Sequence, residues 1–548
     1  MTTYEETIAF LGHGCFQNLV FFLLSASALL CGTYSFSIVF VGASVSHHCL
    51  VPGMNLTQDW HNATIPMEVV DGKQQLSRCS RYRLDVVKNL SSLGLVPGRD
   101  VNLTGLEQEG CVDGWSYSRD IYQTTIMSEF DLVCSEEWKQ PFTSTVFFVG
   151  LLCGSVFSGQ ISDRFGRKPT LIVAMACQII SVVTQSFSQT WTMFCIISFL
   201  NGLSHTTVYT TAFVLGTEIL TGQVQVIFPL GINCVFSVGY MLLPLCAYFV
   251  RDWKSLLLVV SFPGLFIIPI WWFIPESPRW LHSMGKVEEA EAIIRKMAEF
   301  NKVEPPPVIF DDYVANDNQI KAPPKKYHNI LHLVKTKNIR KTTIITCVVW
   351  FSMRIGYFGL ALGTSAFHGD PFISCFISAA TEIPAYVSMW LAVKYVPRRN
   401  TIIFILLTTA LSVFFVQLVP EDVSYIASAL QVLGKYAITA GAAVMYVYAA
   451  ELYPTVIRNT GTGTCSTIAR LGSCVAPFVL SLRTYFKYLP YITFGTMGVL
   501  SAFAALFLPE TFRRPLPQTI QEMQKRECIN HPFIFKKQHP ASAAVIES

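Results

Sequence analysis

The stretches GQISDRFGRKPT (Gly159–Thr170) and AELYPTVIRNTG (Ala450–Gly461) each stand at the edge of a long apolar run. In the first, Asp163, Arg164, Arg167 and Lys168 fall within six residues, after one apolar run and just before the next. That density of charge at the rim of a hydrophobic span is tolerated only in the interfacial layer, with acids and bases paired. It reads as a short loop tying two membrane-helix ends together. In the second stretch Glu451 and Arg458 flank Tyr453-Pro454-Thr455 and mark another such end.

Composition excludes an ordinary soluble protein. The 548-residue chain is 51% hydrophobic and 14% charged, with a mean hydropathy of +0.43. About twelve apolar segments of helix-spanning length follow one another, at roughly 18–41, 142–162, 169–188, 192–215, 226–250, 255–274, 341–363, 371–393, 401–419, 423–449, 460–481 and 488–508. The expected fold is an all-α membrane protein of twelve transmembrane helices.

Basic residues are sorted rather than spread. Arg164, Arg167 and Lys168 lie after the second segment, and Lys394, Arg398 and Arg399 after the eighth. The stretch 276–340 holds Arg279, Lys286, Arg295, Lys296, Lys302, Lys325 and Lys326. The positive-inside rule places these loops, and both termini, in the cytoplasm. Within that stretch Val287, Ala290, Ile293, Ile294 and Met297 form a helical apolar stripe, which predicts an interfacial helix over 285–300 ending before Pro305-Pro306-Pro307.

The stretch 44–141 then lies outside. It holds the chain's N-x-S/T sequons, at Asn55, Asn62, Asn89 and Asn102, which are expected to be glycosylated. It also holds Cys49, Cys79, Cys111 and Cys134, an even set in an oxidising compartment, expected to form two disulfides. Three pairings are possible and all stay open. The other twelve cysteines read as packing residues, without metal-ligand spacing. Glu5 and Glu6 stand where a signal peptide would be basic, so the first segment is expected to be an uncleaved anchor.

An internal repeat is visible. Pro275-Glu276-Ser277 and Pro509-Glu510-Thr511 are 234 residues apart, Glu218 and Glu451 are 233 apart, and Arg167 and Arg398 are 231 apart. Landmarks at nearly one offset imply two six-helix halves rocking about a site near the bilayer midplane. The expected division is 1–275, a cytoplasmic linker 276–340, 341–510 and a cytoplasmic tail 511–548. Asp163, Arg164, Arg167, Glu218 and Glu276, and in the second half Arg398, Glu451, Arg458 and Glu510, read as gating networks that hold the halves together when the site faces outward. The plainer reading is that they anchor helix ends among headgroups.

Polar residues deep in spans are costly and point to the solute site. Arg470 lies in STIARLGS, Glu382 in SAATEIPAY, Arg354 in WFSMRIGYFG and His205 in NGLSHTTVY, with Tyr209, Tyr357, Tyr386, Tyr446 and Tyr448 as aromatic candidates. A guanidinium suits a carboxylate through paired charge-assisted hydrogen bonds. Aromatic faces suit a quaternary ammonium. His205 reads either as a polar residue packing between helices or as a proton relay. No nucleophile, metal or nucleotide constellation supports an enzyme, and no cofactor is expected.

The loop Gly159–Thr170 resembles the signature loop of the major facilitator superfamily, and AELYPTVIRNTG resembles its organic cation, anion and carnitine transporter branch. Over nearly the full length, through CSRYRL, LGLVPGRDV, SDRFGRK, WWFIPESPRWL, EIPAY, MYVYAAELYPT and LPQTIQEMQK, the chain is similar to the carnitine and ergothioneine branch, the novel organic cation transporters. The resemblance implies a plasma-membrane carrier, acting as a monomer in the bilayer without nucleic-acid partners, that moves small organic zwitterions or cations by alternating access. The family's carboxylate-holding arginine falls on Arg470, its aromatic cage on Tyr209, Tyr446 and Tyr448, and its acidic residue of the eighth segment on Glu382. In the purely cationic branch the position of Arg470 is an aspartate.

The departures carry their own expectations. Amide side chains implicated in sodium binding in the carnitine transporter fall on Cys31 and His205, neither a good sodium ligand, so sodium coupling is expected to be weak or absent. Val208, Ala442 and Arg354 replace an asparagine, a phenylalanine and a small residue, and Arg354 is expected either to pair with Glu382 or to shift preference toward anions. Two alternatives remain: an organic anion exchanger, and a transport-deficient receptor-like homologue.

Overall fold

The structure, a computed structural model, describes residues 9–12, 14–52, 56–70, 73–267, 273–307, 309–310, 332–366, 369–420, 423–454, 457–514 and 517. The sequon at Asn55 and nearly all of the tail lie outside the described residues. Hydrocarbon offers the backbone no hydrogen-bonding partner, so spanning segments must satisfy their own N–H and C=O groups as helices. The main helices are α1 (Cys15–Phe36), α2 (Lys139–Phe165), α3 (Arg167–Ser186), α4 (Trp191–Ile219), α5 (Gly222–Phe249), α6 (Trp253–Ile267), α7 (Pro278–Ser283), α8 (Val287–Phe300), α9 (Lys337–Leu362), α10 (Pro371–Ala380), α11 (Glu382–Ala392), α12 (Arg398–Val416), α13 (Ser424–Leu452), α14 (Arg458–Ser481) and α15 (Leu489–Ala505). Among the described residues nine helical stretches are long and apolar enough to cross a membrane, and two shorter apolar helices, Trp253–Phe266 and Leu489–Ala505, accompany them. The 29-residue α4 is as long as any, but is diluted by Asn201, His205 and a run of threonines.

The chain divides into two compact units: Met1–Ile320 with Phe358–Ile383 and Ser473–Pro490, and Lys321–Tyr357 with Pro384–Gly472 and Tyr491–Ser548. The division differs from the halves expected from the repeat, because the first unit takes in all of α10 and parts of α9 and α14. Within that unit Tyr240 donates to the Ala361 carbonyl at 3.3 Å, Thr145 to the Cys474 carbonyl at 2.9 Å, and Phe40 stacks on Phe372. In its core α2 packs on α4 and α1 on α5. Close approach is bought with glycine: a Cβ at Gly150 would collide with the Phe199 carbonyl, and one at Gly239 with the Leu29 carbonyl.

The segment between α1 and α2 folds into a small cap. It contains three two-stranded antiparallel pairings: β1 (His47–Cys49) with β6 (Trp115–Tyr117), β2 (Met67–Val70) with β3 (Lys73–Leu76), and β4 (Ser80–Tyr82) with β5 (Gln108–Gly110). Disulfides join Cys49 to Cys111 and Cys79 to Cys134, resolving the pairing that the sequence left open. Trp60, Tyr82 and Val87 make a small core. Beside them the buried Arg81 pairs with Glu109 at 2.9 Å and Asp113 at 2.5 Å and donates to the Leu50 carbonyl. Asn62, Asn89 and Asn102 are exposed. The helix expected over 285–300 forms as α8, burying Ala290, Ile294 and Met297, and Phe300 meets Phe16 of α1 edge-on at 5.7 Å.

Candidate functional site

At the charged end of the first unit, Arg167 opens α3. Its Nε and Nη2 donate to the two oxygens of Glu218 at 3.1 and 3.2 Å, and Nη2 also pairs with Asp163 at 2.9 Å. Glu276 accepts the backbone N–H groups of Arg167 and Lys168, each at 3.1 Å, which places a carboxylate at a helix N-terminus where the dipole favours it. Gly166 turns the chain there with φ of 101°, and a Cβ on it would lie 2.6 Å from Glu276 Oε2. Arg164 stands over the Phe165 ring, outside these pairs.

The second unit repeats the arrangement. Arg398 opens α12 and donates to Glu451 at 3.3 Å, while Glu510 accepts the N–H groups of Arg398 and Arg399 at 2.9 and 3.1 Å. The other oxygen of Glu451 accepts the Thr511 hydroxyl at 2.5 Å. Arg458 is not drawn into this group: its Nε and Nη2 have no hydrogen-bond partner among the described residues. Each network ties helix ends of its own unit.

Deep in the first unit the two positions that depart from the sodium-linked amides meet. The Cys31 thiol points at the His205 carbonyl at 3.8 Å, while His205 Nε2 lies 3.0 Å from the Cys31 carbonyl and 2.7 Å from Ser35 Oγ. Both residues are buried. His205 is thus held between α1 and α4, with Phe147 edge-on at 5.8 Å. Tyr209, one turn further along α4, donates to Asn233 Oδ1 at 3.2 Å. Glu382 is fully buried and accepts the Ser237 hydroxyl at 2.9 Å. It stands where the span Pro371–Ala392 breaks between α10 and α11, because Pro384 lacks the N–H that a continuous helix would use.

The second unit gathers the remaining candidates. Arg354 Nη2 donates to the Tyr446 hydroxyl at 3.2 Å, and Tyr446 packs edge-on against Trp350 at 4.8 Å. Arg470 and Ser466 on α14 also lie within interaction range of Tyr446, so two guanidinium groups act on this phenol. Tyr386 is within electrostatic range of Arg354. Tyr446 and Tyr448 separate: residues two apart on a helix point about 200° apart. Tyr446 is 46% exposed, whereas Tyr448 is fully buried and donates to the Pro509 carbonyl at 2.6 Å.

One residue of this cluster escaped the sequence reading. Lys435 is buried on α13, with its ammonium 3.5 Å from the centroid of the Tyr357 ring. A lysine in the middle of the apolar run VLGKYAI meets the same criterion that singled out Arg354 and Arg470.

Residues 116–523 match the family described as "Sugar (and other) transporter". The chain is 48% identical over 534 residues to the organic cation/carnitine transporter 2 of Homo sapiens, covering 97% of this chain and 96% of that protein. It is 45% identical over 529 residues to solute carrier family 22 member 4 of Mus musculus, covering 96% and 95%. Among solved structures it resembles the partially occluded, inward-open xylose transporter XylE from E. coli, at 15% identity and a TM-score of 0.62, covering 91% of this chain and all of that one. The paired charged clamps, the repeat and these matches agree: the chain belongs to the sugar (and other) transporter family of the major facilitator superfamily, and within it to the organic cation/carnitine transporters of solute carrier family 22.

Proposed function

We propose that this carrier moves small organic zwitterions or cations of the carnitine type across the plasma membrane by alternating access, with Arg470 holding the carboxylate and Tyr446 offering its ring to the ammonium. The observation that carries the reading is the neighbourhood of Arg470 and the half-open Tyr446 on adjacent helices. A guanidinium and an aromatic face side by side suit a solute with a carboxylate at one end and an ammonium at the other. Tyr448 packs, with its hydroxyl on the Pro509 carbonyl. The cap faces the exterior with glycans on its exposed sequons, and the charged loops and both termini face the cytoplasm.

Sodium dependence is proposed to be weak. Cys31 and His205 each turn to the other's backbone carbonyl, and neither thiol nor imidazole replaces the oxygen ligands sodium prefers. Uptake of radiolabelled carnitine into proteoliposomes, with sodium or choline outside, tests both statements. Arg470→Gln removes a charge-assisted bond of roughly 1.5–3 kcal/mol, so apparent affinity should fall about 10- to 150-fold. Arg470→Lys should recover only part, lacking the planar fork. Wild-type kinetics in a well-folded Arg470→Gln carrier would overturn the assignment.

A further inference from the structure

Away from the ends of the spans, the chain carries three cations, Arg354, Lys435 and Arg470, and one carboxylate, Glu382. A zwitterion of the carnitine type adds no net charge to that excess. Charge buried in a membrane protein is expensive, and all three cations belong to the second unit, so an anionic occupant is favoured there. The geometry of the second unit says where. Arg354 gives its Nη2 to a neutral phenol, and its buried Nε has no hydrogen-bond partner among the described residues. Because the Tyr446 oxygen accepts from Arg354, its own proton is left to donate. Lys435 stands over Tyr357, a helical turn along α9 from Arg354, and adds positive potential to the same cluster.

We propose that Arg354 is a second anion-binding residue and that the site takes small organic solutes with two acidic groups. Arg470 holds one carboxylate, Arg354 holds the other through its fork, and the Tyr446 hydroxyl donates to the solute between them. This rests on the reading of Arg470 as a carboxylate ligand, and adds a ligand group and a substrate class to it.

The test compares glutarate with monomethyl glutarate, which has the same carbon chain and one acid fewer. Their apparent affinities are read from thermal unfolding of the purified full-length carrier, a measurement that needs no transport. The wild type should bind glutarate about tenfold or more tightly than the half-ester. In Arg354→Gln that preference should fall to near unity. If Arg354→Gln does not fold, Arg354→Lys keeps the charge without the fork and should lose part of the preference. Equal binding of the two ligands by the wild type, or a preference unchanged in the variant that folds, overturns the second subsite. Carnitine uptake by wild-type proteoliposomes separates this outcome from the proposed function. Uptake without a glutarate preference removes only the second subsite. A glutarate preference that depends on Arg354, without carnitine uptake, removes only the zwitterion reading.

Discussion

Arg167 and Arg398 occupy the same place in the two units, at the first residue of α3 and of α12, yet their guanidinium groups are used differently. Both reach a carbonyl five residues back, Ser162 for Arg167 and Val393 for Arg398. Arg167 then forks onto both oxygens of Glu218 and adds Asp163. Arg398 makes one contact with Glu451 at 3.3 Å and a second carbonyl contact, with Val396 at 2.8 Å, while its buried Nε has no hydrogen-bond partner among the described residues. Glu451 divides its oxygens between Arg398 and Thr511. At the offset that relates Arg167 to Arg398, the place of Asp163 is taken by Lys394. One set of residue types at one spacing has thus produced a saturated clamp and a slack one. Less is lost when the slack clamp opens than when the saturated one does.

The largest effect should separate the two arginines themselves. The side chains of Arg167 and Glu218 are 10% and 14% exposed, and those of Arg398 and Glu451 are 11% and 20%, so burial does not distinguish the pairs. Removing one partner of an enclosed ion pair costs about 3–5 kcal/mol because the other charge is stranded. Arg167→Ala should carry that full penalty and deplete folded carrier in size-exclusion profiles. Arg398→Ala should lose less, about half, since Thr511 still serves Glu451. Equal melting temperatures for the two variants would show that fork geometry does not set clamp strength.

Much of this comparison was legible in the sequence, because Glu276, Glu218 and Arg167 recur with their neighbours at nearly constant offset and apolar length alone locates the spans. What the sequence withheld was geometric. The offset could not show that Arg458, spaced like a partner for Glu451, would be left aside while Thr511 took that oxygen. Helical periodicity separates Tyr446 from Tyr448, but only packing shows which of them is enclosed. Cysteine spacing cannot choose among three pairings: it is the pairing of β1 with β6, which sets Cys49 opposite Trp115, that carries it towards Cys111 four residues earlier in the chain. Lys435 is masked in the sequence by the apolar residues around it, Val432, Leu433, Ala437 and Ile438, whose character dominates the run.

A middle-sized effect is expected at the entrance to each clamp. Gly166 takes a left-handed φ, and a side chain there would meet the carboxylate of Glu276. Its counterpart Pro397 has φ of −60°, open to any residue. Gly166→Ala should therefore destabilise by about 1–3 kcal/mol, whereas Pro397→Ala should cost no more than about 1 kcal/mol. Thermal unfolding of the two purified variants measures the gap. A gap near zero would mean that the loop before α3 can change path without disturbing Glu276, and that the two entrances are equivalent.

The smallest effect concerns the single charge that distinguishes the clamps. Lys394 is exposed, its ammonium 6.0 Å from the Trp390 ring, and it contributes repulsion where Asp163 contributes attraction. Lys394→Asp would place an acid four residues before Arg398, as Asp163 stands before Arg167. Asp163 is itself 72% exposed, so solvent screening limits the gain to about 0.3–0.5 kcal/mol at low salt. The gain should vanish as ionic strength rises, because the Debye length shrinks from about 10 Å at 0.1 M to about 3 Å at 1 M. Asp163→Lys should show the opposite sign with the same salt dependence. If Lys394→Asp stabilises equally at all salt concentrations, the change has acted through the turn that follows α11 and not through charge. If it does nothing even at low salt, Arg398 keeps its contacts with the Val393 and Val396 carbonyls in preference to a carboxylate. The slackness of the second clamp would then lie in its backbone path, which an exchanged side chain cannot tighten.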